Sequence, residues 1–131
     1  MRVFTDLSQL PKFQNTVVTI GSFDGVHLGH RALLGRLTAA AANAGLPAAV
    51  LTFEPHPREF FVPQAAPSRL STLREKLELL ADDGVDLSYV CHFNARFAAL
   101  TADVFIEQVL VDALRVRHLI VGDDFRFGAR R

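Results

Sequence analysis

Hydrophobic positions alternate along this chain between short unbroken runs and helical stripes. Residues 16–20 (TVVTI) are β-branched and apolar, the pattern of a strand buried on both faces. Over 27–44, Leu33, Leu34, Leu37, Ala40, Ala41 and Ala44 recur at helical spacing, and Gly45 and Pro47 supply a stop. Residues 48–53 (AAVLTF) predict a second buried strand. The stretch from Glu54 to Leu70 carries Pro55, Pro57, Pro63 and Pro67 and reads as loop. Thr72 with Glu75 three residues later forms a capping box. It opens a helix with Leu73, Leu77, Leu80 and Ala81 on one face, ending near Gly84. A third strand is expected over 86–93 (DLSYVCHF) and a fourth over 118–122 (HLIVG). Between them Thr101 caps a helix that turns Phe105, Ile106, Val109, Leu110, Ala113 and Leu114 inward. Such alternation predicts an α/β fold, an open parallel sheet with helices on both faces.

Composition narrows the class. A length of 131 residues suits one domain, and half of them are apolar. Lys+Arg equals Asp+Glu at 14 each, so no global charge draws the chain to nucleic acid or to an anionic membrane. Any anion it binds is held locally. Cys91 is the only cysteine, which rules out an internal disulfide. The N-terminal residues lack the pattern of a signal peptide. No apolar run approaches the roughly 18 residues of a membrane span. The expected location is the cytoplasm.

The unusual residues follow the strands. After the first comes GSFDGVHLGH, after the second EPHPREFF, after the third HFNARF and after the fourth GDDFRFGARR. In open α/β sheets, ligands bind outside the carboxyl ends of the strands, so the four segments point at one site. In the first, Gly21, Gly25 and Gly29 let the backbone approach a ligand. A helix starting near His27 offers free N–H groups and a positive dipole end to an anion. His27 and His30 lie on one side of its first turn and are able to donate hydrogen bonds to phosphate oxygens. That stabilises charge building up on a phosphorus under attack.

Blander readings compete. Two histidines alone do not make a zinc site, and no cysteine or third histidine lies near them in the sequence. They also fit an incidental surface pair. His118 before an apolar strand reads as structural, and Asp82 and Asp83 at a helix end as solvated. His56, between two prolines, fits a site or a rigid turn. Phe125 and Phe127, flanking Arg126, fit core plugs or a stacking surface for a planar ring. Neither GxxxxGK[ST] nor GxGxxG occurs.

The HxGH pair after a first strand resembles the adenylyl- and cytidylyltransferase superfamily, whose fold is Rossmann-like. The fuller GSFDGVHLGH, with FEPHP (53–57), RLSTLREKLELL (69–80), FNARFAALTADVFIEQVL (93–110) and VGDDFRFG (121–128), is more specific. These stretches resemble, in order, the N-terminal FMN adenylyltransferase module of the bacterial bifunctional riboflavin kinase/FAD synthetase family. The resemblance covers essentially all of residues 1–131. It implies transfer of the adenylyl group of ATP to FMN, giving FAD and pyrophosphate, with Mg²⁺ carried on the ATP phosphates rather than by a protein metal site. It implies His27 and His30 as the catalytic pair, with Gly21, Ser22, Phe23, Gly25, Gly29, Asp124 and Arg126 toward the nucleotide. Asp24 would help shape the turn. Glu54, Pro55, His56, Pro57, Phe125 and Phe127 would border the flavin. The family continues beyond the GDDFRFG loop into a further strand, an ISSTxxR-type motif, a closing helix and a riboflavin kinase domain. The sequence is therefore read as one incomplete FAD synthetase domain over 1–131, from a longer protein, and weakly active or inactive alone. Alternatives are adenylyl transfer to another phosphate, such as nicotinamide mononucleotide or phosphopantetheine, and a non-catalytic flavin or nucleotide binder.

Overall fold

The computed structural model describes residues 1–10, 14–21, 23, 28–54, 72–92 and 94–122. Five strands form one parallel sheet: β1 (Arg2–Phe4), β2 (Thr16–Ile20), β3 (Ala48–Glu54), β4 (Leu87–His92) and β5 (Val116–Ile120). Their spatial order is β1-β4-β3-β2-β5. The described helices are α1 (Leu28–Ala44), α2 (Leu73–Asp82), the single turn α3 (Ala95–Ala98) and α4 (Ala102–Phe105). The last continues as a π-helix over Ile106–Ala113.

The inner strands are largely apolar, with only Thr16, Thr19, Thr52 and Ser88 as buried polar residues, because both faces of the sheet are covered. Successive side chains point to opposite faces and divide between two cores. Val17, Ala48 and Val50 pack with Leu34, Leu37 and Ala41 of α1 and with Leu80 of α2. Val18, Ile20, Ala49, Leu51, Phe53, Leu87, Tyr89 and Cys91 pack with Phe105, Val109, Leu110 and Leu114. The chain steps from β2 to β3 to β4 on the first face, then back from β4 to β5 on the second. Opposite steps on opposite faces give every crossover the same hand, as parallel sheets require.

The helix ends obey local chemistry. Thr72 Oγ1 accepts from the Glu75 N–H and Glu75 Oε1 from the Thr72 N–H, both at 3.1 Å, so the capping box is formed. The Thr72 N–H also holds the Glu75 carboxyl below its ordinary range. At the end of α1, Gly45 takes a φ of +68°, and Leu46 N–H reaches Ala41 O at 3.0 Å. Gly84 does the same for α2 at φ +93°, with Val85 N–H on Leu80 O at 3.1 Å. Both are left-handed glycine caps that satisfy late carbonyls.

Several expectations change. Strand β1 was not expected, because three residues are too few to show a period; it pairs with β4 through Arg2, Val3 and Phe4. Strand β5 begins two residues earlier than expected, and its register against β2 shifts between Thr16 and Val17. Among the described residues β5 pairs only with β2, and its middle is exposed. His118, expected to be structural, is therefore exposed. Asp83, expected to be solvated, is half-buried, 3.8 Å from Arg31. Ala44 and Ala81, placed on the buried stripes of their helices, are exposed. Thr101 caps α4 through the Val104 N–H at 3.3 Å, but the helix then widens. An i→i+5 winding stacks residues four and five apart. Phe105, Val109, Leu110 and Leu114 face the core, Ala113 is only half-buried, and Ile106 is 39% exposed. The winding ends where Thr16 Oγ1 donates to the Leu114 carbonyl at 2.6 Å.

Cys91 lies inside this second core, where burial pushes its thiol up to about 12, partly offset by a Tyr89 hydrogen bond. The attacking species is the thiolate, so the folded chain should resist alkylation. At pH 8, mass spectrometry is expected to find Cys91 unmodified by iodoacetamide in buffer and fully modified in urea. Rapid labelling of folded protein would contradict the packing.

Candidate active site

All five strands run in parallel, so their carboxyl ends share one edge of the sheet. Gly21 follows β2, Glu54 ends β3, His92 ends β4 and Val121 follows β5. The order 4-3-2-5 reverses direction between β2 and β5, the switch point where doubly wound sheets receive ligands. Gly21 N–H donates to Leu51 O at 3.0 Å, which carries the β2–β3 ladder one residue beyond the strand.

Two residues on, the backbone reverses hand. Phe23 has a φ of +53°, in the left-handed region that bulky residues avoid. Such a conformation costs on the order of 1–3 kcal/mol. The side chain offsets it, because the ring is 1% exposed and packs in the core that holds Val17, Leu34 and Val50. Full burial of a phenylalanine contributes roughly 1.5–3 kcal/mol. Phe23 is thus a plug under the turn. The ring lies so close to Gly21 that a Cβ built there would stand 2.8 Å from Phe23 Cε2. On its other side it meets His30, ring centroids 5.1 Å apart and planes at 64°, edge to face. His30 sits in the first turn of α1, half-buried, with Nδ1 shielded from solvent.

Of the residues anticipated from sequence, Gly21, Phe23, Gly29, His30 and Glu54 lie within the described residues. They fall at the carboxyl edge or in the first turn of the helix that leaves it. Phe23 was expected to line a nucleotide pocket, but its side chain faces the core, so what it offers the turn is main chain. His27, Ser22, Asp24, Gly25, Pro55, His56, Pro57, Asp124, Phe125, Arg126 and Phe127 lie outside the described residues. The segment after β4 is architectural where described. Asn94 Oδ1 accepts from the Phe97 N–H at 2.8 Å and caps α3. The Phe97 ring packs on Phe53 and Phe105 at 5.9 and 5.8 Å.

Sequence reasoning missed a polar group under the same edge. Lys76 of α2 is 5% exposed and its Nζ donates to Thr52 Oγ1 of β3 at 3.1 Å. Thr19 of β2 is fully buried, and its hydroxyl has no hydrogen-bond partner among the described residues. Lys76 was detectable, since it stands three residues after Leu73 and four before Leu80, inside the apolar stripe. Among the described residues no group of three or more His, Cys, Asp or Glu is placed to hold a metal ion, and no helix is long and apolar enough to cross a membrane.

Chemically, this edge suits an anion. α1 has 17 residues and no acidic side chain in its first turn, so nothing there neutralises the positive end of its dipole. Helix starts of this kind bind phosphates. The His30 imidazole in that first turn adds a directional donor.

Fold and site together define a doubly wound α/β domain with a histidine-bearing helix start at its switch point. The family model for FAD synthetase matches residues 9–131, and the chain belongs to that family. A bifunctional riboflavin kinase/FMN adenylyltransferase of Escherichia coli (strain K12) is 53% identical over all 131 residues, which span 42% of that relative. Those of Haemophilus influenzae and Pseudomonas fluorescens are 50% and 48% identical over 90% and 92% of the chain. The chain thus spans about two-fifths of the length of these relatives. A solved Streptococcus pneumoniae structure, named as a macrolide-efflux protein, superposes on 97% of the chain with a TM-score of 0.81 at 27% identity, using 42% of its own length.

The contact between Gly21 and Phe23 generates a direct test. Gly21→Ala forces a methyl against an enclosed ring, and overpacking of this kind costs about 1–3 kcal/mol. Urea unfolding is expected to show that loss, while Gly35→Ala, in the interior of α1 with open space around its Cβ position, is expected to stabilise by up to about 1 kcal/mol.

Proposed function

We propose that this domain transfers the adenylyl group of ATP to FMN. Membership of the FAD synthetase family carries the reading, and the placement of His30 on a helix start at the switch point supports it. ATP enters as its magnesium complex, the ion riding on the phosphates as part of the substrate.

A phosphate oxygen of FMN attacks the α-phosphorus of ATP in line. The bond from that phosphorus to the β-phosphate oxygen breaks, the FMN phosphate becomes linked to AMP as FAD, and pyrophosphate leaves. The chain does little covalent chemistry; it positions the phosphates and meets the charge that develops. His27 and His30 donate to the phosphate oxygens, and the first-turn N–H groups of α1 share the load. Gly21, Ser22, Gly25 and Gly29, with the Phe23 main chain, leave room for the nucleotide. Asp124 and Arg126 complete its pocket. Glu54, Pro55, His56 and Pro57, with Phe125 and Phe127, border the flavin. Riboflavin kinase activity, which the relatives' names add, we assign to the part of their length outside the match.

The direct experiment follows FAD by chromatography from FMN, ATP and Mg²⁺, with the natural-length protein and the 131-residue chain side by side. The long form is expected to make FAD and the 131-residue chain to make little or none. FAD from neither, with turnover of nicotinamide mononucleotide or phosphopantetheine, would replace the acceptor. Saturable flavin binding without pyrophosphate release would replace the enzyme by a binder. In the long form, His27→Ala and His30→Ala are each expected to lower kcat about 10²–10³-fold, the scale of losing one transition-state donor, with a smaller change in KM. A change in KM alone would remove both histidines from the chemical step.

A further inference from the structure

Four observations converge on Phe23. Its backbone is held at φ +53°, a conformation that persists only when surroundings enforce it. Its ring is 1% exposed, so it is not a ligand contact. Gly21 leaves room for that ring, since any Cβ there would collide with it at 2.8 Å. The same ring meets the His30 imidazole, 5.1 Å away and edge to face. Leu34, one turn beyond His30 on α1, packs in the same core cluster as Phe23. The plug and the helix carrying the histidine are therefore tied to one rigid unit.

From this we propose that Phe23 is a positioning residue, a strained core plug whose side chain fixes the orientation of the His30 ring and so governs the chemical step without itself touching substrate. The inference rests on the reading of His30 as a catalytic residue. Phe23 sets the ring angle by packing, and Gly21 sets Phe23. A displaced imidazole still tolerates bound nucleotide but aims its donor away from the developing charge. The signature is thus a loss in kcat with little change in KM.

The experiment is a double-mutant cycle in the full natural chain. Phe23→Leu keeps an apolar plug and removes the ring edge. It is expected to lower kcat for FAD formation at least tenfold, with KM for ATP and FMN within twofold. Added to His30→Ala, it is expected to cause no further loss, because it acts through the ring already removed. A raised KM, or losses that multiply in the double variant, would overturn the proposal. So would an unchanged kcat in Phe23→Leu when His30→Ala is impaired. An unchanged kcat in His30→Ala overturns instead the reading on which the inference rests. Should Phe23→Leu fail to fold, selectively labelled wild-type protein gives the answer by NMR. Cross-relaxation between the Phe23 and His30 ring protons is expected. Its absence would overturn the proposal.

Discussion

Strand β2 has no free side. All five of its residues are buried, β3 and β5 pair along its two edges, and a core presses on each face. Unpaired backbone is costly in such a place, so the path of the chain is fixed up to Ile20 and, through the Gly21 hydrogen bond, one residue beyond. Whatever follows must turn out of the sheet within a few residues and start α1. The strain at Phe23 belongs to that turn. A rigid strand meets a rigid helix, and the short link absorbs the mismatch while a buried ring holds it in place.

The same constraint arranges the rest of the edge. With β2 inside the sheet, β3, β4 and β1 line up on one side and β5 on the other, and every strand delivers its last residue to the same rim. One face is closed by α1 and α2, the other by α4 and its π-helical extension. Lys76 reaches in from α2 to Thr52, which places a polar amine among apolar neighbours close to the end of β3. A phosphate-bearing ligand arriving there meets donors from fixed elements, which lowers the reorganisation needed for chemistry.

Much of this was legible in the sequence. TVVTI, AAVLTF and the run around Tyr89 gave three strands because burial on both faces leaves no charged residue, only small hydroxyls, inside each run. The Thr72–Glu75 box marked a helix start because its two hydrogen bonds are local. What stayed hidden depends on distant partners. Strand β1 is defined by pairing with β4, more than eighty residues away. The π-helix betrays itself only in the spacing of Phe105, Val109, Leu110 and Leu114, which an α-helical reading also accepts, at the cost of turning Ile106 inward. For the candidate site, Gly21, Gly29 and His30 are placed at the carboxyl edge by strand order alone, whereas the packing of the Phe23 side chain required its φ and its neighbours. Chemistry follows residue type, which sequence displays; positioning follows contact, which it does not.

Gly21 and Phe23 occupy one volume between them. Neither position has an independent set of permitted residues. An alanine at 21 becomes admissible once 23 is smaller than phenylalanine, and a phenylalanine at 23 requires nothing at 21. In a library that varies both, acceptable pairs should trace a line of constant combined size. A scan of either position alone would register only intolerance and miss the trade.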